Sequence, residues 1–277
     1  MGARALEGRT ALVMGGSSGM GAACARLLAE DGSAVLIMGR REDALVKARA
    51  ALLRQVPGAR IEIFAGDSCQ EEAVKTALKR AHAMSGRLDI LVSTVGGAEI
   101  KPLLLQDAGT FMHEYKINVI SAFLMVRYGV PLMEPGGAIV CISTASVIQP
   151  FAGLSAYAAA KAALERFVRA AAHELGGAKI RINAVRPGMT RTAATAGMYD
   201  VPGLVDRYAS ETLLGRTGEP DDIARVMRFL AGPESAWITG ESISADGGQD
   251  QGKIPDMLDD MFGRDVMAKV RAGKSPP

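Results

Sequence analysis

Residues 10–21, TALVMGGSSGMG, decide the fold, because an apolar run with the composition of a β-strand leads directly into a glycine-rich turn. A segment with helical periodicity, 19–31, follows the turn, and a second apolar run, 34–38, follows that segment. This order of strand, glycine turn, helix and strand is typical of a βαβ unit with a parallel pair of strands. The sequence therefore predicts an α/β fold whose first βαβ unit begins at residue 10.

The same alternation continues along the rest of the chain. Most strand candidates are continuous apolar runs without two-residue alternation, as expected for a parallel sheet that is covered on both faces. They lie at 10–14, 34–38, 61–65, 89–93, 138–142, 180–185 and 242–245, and the helical segments lie at 19–31, 41–55, 70–84, 108–130, 155–176 and 220–231. We expect a single-domain, Rossmann-like, doubly wound sheet of seven parallel strands over residues 1–248.

Two segments fall outside this alternation. Residues 188–214 are rich in Met, Thr, Ala and Gly and are interrupted by Pro202, which predicts a long mobile insertion that acts as a lid. Residues 249–277 form a C-terminal tail with apolar residues at helical spacing after Pro255. These apolar residues are Met257, Leu258, Met261, Phe262, Val266 and Val270. We expect them to cover this body or a neighbouring subunit; the alternative is a frayed end helix without a role, and 273–277 are expected to be disordered.

Composition excludes several classes of protein. The 277 residues carry 32 Lys+Arg and 30 Asp+Glu, and no basic cluster points to nucleic acid. No apolar stretch is long enough to span a bilayer, and the first residues contain no signal-peptide apolar region. Three scattered cysteines, Cys24, Cys69 and Cys141, have no His neighbours and favour reduced thiols over disulfides or metal ligands. The sequence predicts a cytoplasmic protein with neither a metal nor a membrane partner.

The glycine-rich turn indicates a phosphate site. Glycines let backbone amides approach a pyrophosphate closely, and the pyrophosphate then lies at the positive N-terminus of the following helix. The spacing here is G-x-x-x-G-x-G rather than the commoner G-x-G-x-x-G. The residues that we expect to bind a dinucleotide at this turn are Gly15, Ser17, Ser18, Gly19 and Met20.

The second predicted strand ends in Gly39-Arg40-Arg41, where a NAD-binding fold would offer an acid to the ribose hydroxyls. An acid would repel a 2′-phosphate, whereas a guanidinium can bind it through paired, charge-assisted hydrogen bonds. We therefore predict NADP(H), bound by Arg40 and Arg41. The alternative is that both arginines are solvated residues of the first helical turn, although a basic pair at that end opposes the helix dipole.

Tyr157 and Lys161 are four residues apart and share one face of the predicted helix 155–176. A cation one turn away stabilises a phenolate and brings the pKa of the tyrosine toward the working range of an acid or base. Such a pair is common by itself. Thr144, however, stands at the end of a predicted strand, at the edge of the sheet where ligands bind, so its hydroxyl can reach a substrate carbonyl.

Taken with the glycine turn, these residues resemble the short-chain dehydrogenase/reductase family over nearly the whole chain, up to about residue 248. Asn118, within Lys116-Ile117-Asn118-Val119, matches the asparagine of the family's catalytic tetrad, and Asp246-Gly247-Gly248 matches the usual ending. The resemblance places further residues at the cofactor, namely Asp67, Ser68, Gly96, Pro187, Gly188, Thr190 and Thr192.

The resemblance implies a reversible hydride transfer between a nicotinamide and a carbinol carbon. Tyr157 would be the general acid in reduction and the general base in oxidation. Lys161 would bind the nicotinamide ribose and, together with the positive ring of the cofactor, lower the pKa of Tyr157. Thr144 would orient the substrate oxygen, and Asn118 would help to hold a water that links Lys161 to solvent. The cofactor supplies the hydride, and the protein supplies position and a matched proton.

The sequence departs from the family pattern at four places. Thr144 stands where the family has Ser, so that its methyl narrows the pocket, and Ser143 or Ser146 could assist instead. Met14 replaces the usual Thr before the first glycine. Ser93-Thr94-Val95-Gly96 replaces Asn-Asn-Ala-Gly, and the tail is longer than the family's usual end. None of these changes removes a group that the chemistry needs, so we expect an active enzyme.

The residues expected to flank the substrate are mostly apolar and favour a hydrophobic, bulky secondary alcohol or ketone. They are Gly97, Ala98, Gln149, Leu154, Met189 and Met198, although several could simply pack. Two other functions stay open, a 3-oxoacyl thioester reductase and a catalytically weak NADP(H)-binding regulatory protein. The family resemblance also implies a homotetramer or homodimer built on helices 108–130 and 155–176.

Overall fold

The computed structural model describes residues 4–252, 264–272 and 274. The strands are β1 (Thr10–Met14), β2 (Ala34–Gly39), β3 (Ile61–Ala65), β4 (Leu88–Ser93), β5 (Met133–Ile142), β6 (Arg181–Pro187) and β7 (Ser242–Ala245). The helices are α1 (Gly19–Glu30), α2 (Glu42–Gln55), α3 (Glu71–Ser85), α4 (Ala108–Tyr115), α5 (Ser121–Gly129), α6 (Ser155–Leu175), α7 (Ala196–Tyr199), α8 (Leu204–Glu211), α9 (Pro220–Ala231) and α10 (Arg264–Arg271).

The strands form one parallel sheet in the order β3-β2-β1-β4-β5-β6-β7. The chain builds outward from β1 to β3, returns to the centre, and builds outward again from β4 to β7. The segments that follow β1 and β4 therefore leave in opposite directions and open a crevice at the carboxyl ends of these two strands. The predicted Rossmann-like doubly wound sheet is confirmed.

Both faces of the sheet are covered, which explains why the strands read as continuous apolar runs. Every residue of β1 and β4 is buried. Leu12 and Met14 belong to the apolar cluster on one face, and Ala11 and Val13 to the cluster on the other. Successive side chains of β1 thus enter two separate cores, so both faces of the strand require apolar residues.

The structure differs from the predicted elements in one helix beside the crevice and in one strand at the opposite edge of the sheet. The predicted helix 108–130 is divided into α4 and α5 by a π-helical turn, Lys116–Ile120, and it ends at Gly129. Strand β5 begins at Met133 instead of residue 138, because Met133 pairs with Leu88 across a register shift in β4. A π turn inside an α-helix is frequently associated with a functional site.

The insertion 188–214, for which the sequence predicts no helix, contains α7 and α8. In the tail, α10 contains Val266, whereas Pro255, Met257, Leu258, Met261 and Phe262 lie outside the described residues, as do 273 and 275–277. Within the described ranges, no helix is long and apolar enough to cross a membrane. Across the same ranges, no three His, Cys, Asp or Glu side chains cluster closely enough to hold a metal ion.

Candidate active site

Lys161 lies two turns into α6 and points at the carboxyl end of β5. Its side chain is only 1% exposed, and its Nζ donates a hydrogen bond to the Ile142 carbonyl at 2.8 Å. Nζ lies 5.9 Å from the centre of the Tyr157 ring. Burial lowers the pKa of Lys161 to about 8. An ammonium group has three donors, so Lys161 can bind further acceptors while it stays anchored to β5.

Tyr157, one helical turn before Lys161, is a buried phenol that keeps its proton at neutral pH in the protein alone. Burial raises its pKa to about 12, and the neighbouring Thr144 hydroxyl opposes this effect only in part. Desolvation of the phenolate thus sets the direction of the shift in the protein alone, and the lowering expected from Lys161 together with the positive ring of a bound cofactor stays a prediction. A phenol with this pKa is protonated at neutral pH, although burial makes it a weaker acid than a solvated tyrosine.

Thr144 follows β5 directly, and its hydroxyl lies among local polar groups. The Thr144 Oγ1 accepts a hydrogen bond from the Ser146 N–H at 3.2 Å and lies 3.3 Å from the Ser146 hydroxyl. Ser143 is different, because its hydroxyl donates to Glu165 at 2.6 Å, and Glu165 in turn accepts from Arg186 at 2.8 Å. The alternative in which Ser143 assists in place of Thr144 is therefore disfavoured, because Glu165 engages the Ser143 hydroxyl. Ser146 remains an alternative, since its hydroxyl lies beside that of Thr144.

Asn118 lies in the π turn and is buried against the loop that follows β4. Its Nδ2 donates to the Gly97 carbonyl at 3.0 Å and to the Glu114 carboxylate at 2.8 Å. A Cβ atom on Gly96 would lie 2.5 Å from the Asn118 Oδ1 and 3.0 Å from the Lys161 Nζ. The Asn118 oxygen and the Lys161 ammonium therefore face the same small gap, which only glycine at position 96 leaves open.

The glycine turn after β1 leaves the start of α1 open to a ligand. Ser18 occupies the N-cap of α1 without forming a side-chain cap, and the first turn contains no acidic residue. Gly15 has a φ of +85°, and a Cβ there would collide with the Thr94 hydroxyl. Thr94 also donates to the Met14 carbonyl at 3.0 Å, so it joins the segment after β4 to the end of β1. The uncapped amides of α1 remain available to phosphate oxygens.

The remaining residues predicted at the cofactor surround this turn on two sides. Arg40 follows β2, and Arg41 occupies the N-cap position of α2 without a side-chain capping bond. Both are exposed, and neither forms an ion pair within the described residues. After β3, the Asp67 carboxylate accepts from the Cys69 N–H at 2.9 Å, and Ser68 is buried. Basic side chains without acidic partners at the end of β2 are free to bind an anion.

The loop after β6 approaches the glycine turn from the opposite side. Here Pro187 ends β6, and the Thr190 hydroxyl donates to the Gly188 carbonyl at 2.9 Å. A Cβ on Gly19 would meet the Thr192 side chain at 3.4 Å, so this loop lies directly across from the turn. Thr195, which the sequence analysis missed, ties the loop together by donating to Thr190 at 2.7 Å.

These elements surround one cavity of about 610 Å³. The Tyr157, Thr144 and Lys161 side chains line it, together with all six predicted substrate-flanking residues, Gly97, Ala98, Gln149, Leu154, Met189 and Met198. The sequence analysis missed lining residues from the lid and from the tail boundary, namely Leu204, Arg207, Tyr208, Glu211 and Gln249. The lid helix α8 carries no buried residue. The four lid residues in this set all lie on α8, where they line the cavity and contribute little to the core.

Comparison with known proteins identifies the family. A family model described as Enoyl-(Acyl carrier protein) reductase matches residues 15–250. Carbonyl reductase family member 4 from Danio rerio is 34% identical over 242 residues, which cover 87% of this chain and 97% of the relative. The chain belongs to the short-chain dehydrogenase/reductase family. The 7alpha-hydroxysteroid dehydrogenase of Clostridium sardiniense is 32% identical, covering 85% of this chain and 90% of that protein.

Solved structures agree with this membership. A short-chain type dehydrogenase/reductase from Mycobacterium ulcerans superposes with a TM-score of 0.86 at 32% identity, and the match covers 95% of this chain and 98% of that one. The protein is therefore a short-chain dehydrogenase/reductase, an oxidoreductase of the family that uses nicotinamide cofactors on carbonyl and alcohol groups.

Proposed function

We propose that the protein is an NADP(H)-dependent reductase that interconverts a hydrophobic ketone and its secondary alcohol. The observation that carries this proposal is the arrangement of the cavity. The Tyr157 and Thr144 hydroxyls enter it side by side, next to Lys161, while apolar residues form most of its remaining wall. A carbonyl oxygen between the two hydroxyls would accept a hydrogen bond from each, and the apolar wall would contact the carbon groups on either side.

The donor set around the glycine turn fits a dinucleotide phosphate. The uncapped amides of α1 would bind the pyrophosphate. Arg40 and Arg41, exposed at the end of β2, would bind a 2′-phosphate. Lys161 would donate to the nicotinamide ribose, since its anchoring bond to Ile142 leaves two donors unused. We expect Asp67 and Ser68 at the adenine, and Gly188, Thr190 and Thr192 at the nicotinamide side.

The protein's own contribution to the reaction is the proton. A bound reduced nicotinamide supplies a hydride to the carbonyl carbon. As the carbon–oxygen double bond becomes single, the Tyr157 hydroxyl donates its proton to the oxygen, and the Thr144 hydroxyl holds that oxygen in place. The pKa of Tyr157, which burial raises, leaves the hydroxyl protonated at neutral pH but makes it a weaker acid than a solvated phenol. In the reverse direction, the Tyr157 phenolate accepts the proton from the alcohol.

The lining of the cavity supports a bulky apolar substrate. Phe151 stacks on Tyr208 of the lid with ring centres 6.0 Å apart, and Leu154, Met189 and Leu204 line the same space. The named relatives, a carbonyl reductase and a hydroxysteroid dehydrogenase, are consistent with a ketone or secondary alcohol of this kind. The description of the matching family model favours a second candidate, an acyl thioester substrate. Thioesters therefore belong in the substrate panel.

We also propose a homotetramer or homodimer built on α5 and α6. Phe123 on α5 is exposed and packs edge to face against Phe167 on α6, with ring centres 6.1 Å apart. A second copy would cover these rings. Light scattering coupled to gel filtration measures the mass directly; a monomer at all concentrations would contradict this proposal.

The experiment that tests the function is oxidation of NADPH by ketones graded from small to bulky, with 3-oxoacyl thioesters and with NADH in parallel. We expect turnover to rise with apolar size and to prefer NADPH. Tyr157→Phe should lower kcat by about a hundredfold or more while it retains NADPH binding. Turnover with thioesters alone would favour the second candidate. Tight NADPH binding without turnover on any carbonyl would instead indicate a regulatory binding protein.

The choice of cofactor has its own test. Arg40→Ala should raise the KM for NADPH about tenfold and leave that for NADH unchanged, because only NADPH carries the 2′-phosphate. Arg54→Ala is the matched control, since Arg54 is an exposed arginine in the last turn of α2. Equal effects of Arg40→Ala on both cofactors would contradict a phosphate-binding role.

A further inference from the structure

Glu114 is a buried carboxylate in the wall of the active site. It occupies the last turn of α4, only 1% exposed, and no ion pair within 4.0 Å involves it in the described residues. Its partners are neutral donors. Its Oε1 accepts from the Glu99 N–H at 2.8 Å, and its Oε2 accepts from the Asn118 Nδ2 at 2.8 Å. Burying a carboxylate without a close cation is costly, so its position requires an explanation.

The contacts of Glu114 fix the orientation of Asn118. The Asn118 amide nitrogen is surrounded by acceptors, namely the Glu114 carboxylate and the carbonyls of Gly97 and Glu114, each at 3.0 Å or less. The amide cannot turn over, because its oxygen would then face these acceptors. Its Oδ1 is consequently held toward the gap beside Gly96, into which the Lys161 Nζ also points.

Glu114 also ties the loop after β4, which lines the cavity, to the π turn. Its Oε1 anchors the backbone of the loop after β4 through Glu99, adjacent to the lining residues Ala98 and Ile100. Its Oε2 anchors the π turn through Asn118. One side chain thus joins a substrate-lining loop to the helix that carries Asn118.

We propose that Glu114 is a positioning residue of the active site, which fixes Asn118 and the loop after β4 and places a negative charge near Lys161 and Tyr157. This inference rests on the proposed function for its kinetic consequences but not for its geometry. The charged or titratable groups that act on Lys161 are Glu114, Glu165 on α6 and Cys141 on β5, and Glu114 also acts on Tyr157. Glu165 has a cation of its own in Arg186, at 2.5 Å, whereas Glu114 has none among the described residues.

The charge of Glu114 acts on both proposed catalytic groups in the same direction. It raises the pKa of Tyr157, in addition to the larger effect of burial, and it raises the pKa of Lys161 against the lowering by burial. Removal of the charge should therefore lower the pKa of each group. Reduction requires a protonated Tyr157, so the alkaline limb of its pH profile should move to lower pH.

The test compares Glu114→Gln with the wild type and with Glu174→Gln, which makes the same change at an exposed position near the end of α6. We expect Glu114→Gln to lower kcat for ketone reduction about tenfold and to move the alkaline limb down by about one pH unit. The KM for NADPH should change less than kcat, since Glu114 acts near Lys161 but does not contact the glycine turn that would bind the pyrophosphate. Glu174→Gln should match the wild type. A lower kcat with an unmoved pH profile would overturn the proposal and leave a purely structural role.

A second measurement needs no substrate. The ultraviolet absorbance of tyrosinate is titrated in the wild type and in Glu114→Gln, and the Tyr157→Phe curve is subtracted in each background to isolate Tyr157. We expect Tyr157 to deprotonate at lower pH in Glu114→Gln. If this shift occurs while no carbonyl is turned over, the proposed function fails and the role of Glu114 stands. If carbonyls are turned over but the shift is absent, the proposed function stands and the role of Glu114 fails.

The conservative variant Glu114→Asp keeps the test decisive if Glu114→Gln does not fold. Aspartate retains the charge, but its shorter side chain cannot reach both donors. We expect a lower kcat with the pH profile at its wild-type position. Wild-type kcat in Glu114→Asp would contradict the positioning role.

Discussion

The two walls of the cleft are built in contrasting ways. One, the core wall, consists of the carboxyl ends of β1, β4 and β5 with the first turns of α6, and every residue of β1 and β4 is buried. The other, the lid wall, consists of residues 188–214, whose helices α7 and α8 contain no buried residue. Elements with few buried contacts open at a lower free energy than core strands.

The contrast between the two walls separates the residues that we propose to react from those that we propose to select the substrate. The proposed proton donor Tyr157 and its neighbours Thr144 and Lys161 belong to the core wall, where packing holds their geometry. Much of the apolar surface that would contact a substrate, including Met198 and Leu204, belongs to the lid wall. Changes in the lid can therefore alter which ketone is accepted without disturbing the atoms that react. The predictions below test this separation.

The largest effect is expected from Thr144 on the core wall. Thr144→Val keeps the shape of the side chain but removes the hydroxyl, so kcat should fall about a hundredfold while NADPH affinity is retained. Thr144→Ser keeps the hydroxyl and should stay within about threefold of the wild type. Both are measured as steady-state ketone reduction, with NADPH binding followed by fluorescence.

If Thr144→Val retained most of its activity, the substrate oxygen would be held by another group. Ser146 is the candidate, since its hydroxyl lies 3.3 Å from that of Thr144. Thr144→Val combined with Ser146→Ala would then lose the activity that the single variant kept.

The sequence predicts the core wall far better than the lid wall, for a physical reason. Strands β1, β3 and β7 were predicted with the same bounds that the structure has, because buried strands require apolar side chains at nearly every position. Helices α7 and α8 were missed, because both are short, bury no residue, and lie in a segment that Gly197, Pro202 and Gly203 interrupt.

Within the site, side chains were predicted where a strand end or helix spacing places them, as for Tyr157 and Lys161. The π turn at Asn118 has no comparable signal, since the apolar pattern runs through it without interruption. Glu114 was missed for a related reason. An isolated glutamate near a helix end is usually solvated, and only the folded arrangement of Glu99 and Asn118 shows that this one is buried.

An intermediate effect, on the free energy of unfolding, is expected from glycine-to-alanine substitutions, one on each wall. Gly15 and Gly203 both have positive φ, +85° and +69°, so alanine costs about 1 kcal/mol of backbone strain at either position. Only at Gly15 would the new methyl also collide with Thr94; at Gly203 no atom lies within 4 Å. Gly15→Ala should therefore destabilise the protein by about 1–3 kcal/mol more than Gly203→Ala.

The free energy of unfolding, measured in denaturant, checks this difference, and NADPH affinity should fall for Gly15→Ala alone. Gly58→Ala serves as a control outside the cleft, since Gly58 has a φ of +81° and open space around it. Equal losses for Gly15→Ala and Gly203→Ala would show that the two walls tolerate change to the same degree, which contradicts the separation.

The smallest effect is expected where the two walls touch. Phe151 precedes α6 and stacks on Tyr208 of α8 with an interplanar angle of 15°. Such a contact contributes roughly 0.5–1.5 kcal/mol, so Phe151→Ala should raise the KM for a bulky ketone by a few fold to about tenfold. The KM for NADPH and the turnover of a small ketone should stay unchanged, because neither depends on closure of the lid over a large substrate. Tyr208→Phe keeps the ring and should behave as the wild type. A loss of kcat in Phe151→Ala for small and bulky ketones alike would mean that the lid also positions the reacting atoms, and the two walls would then act as one unit.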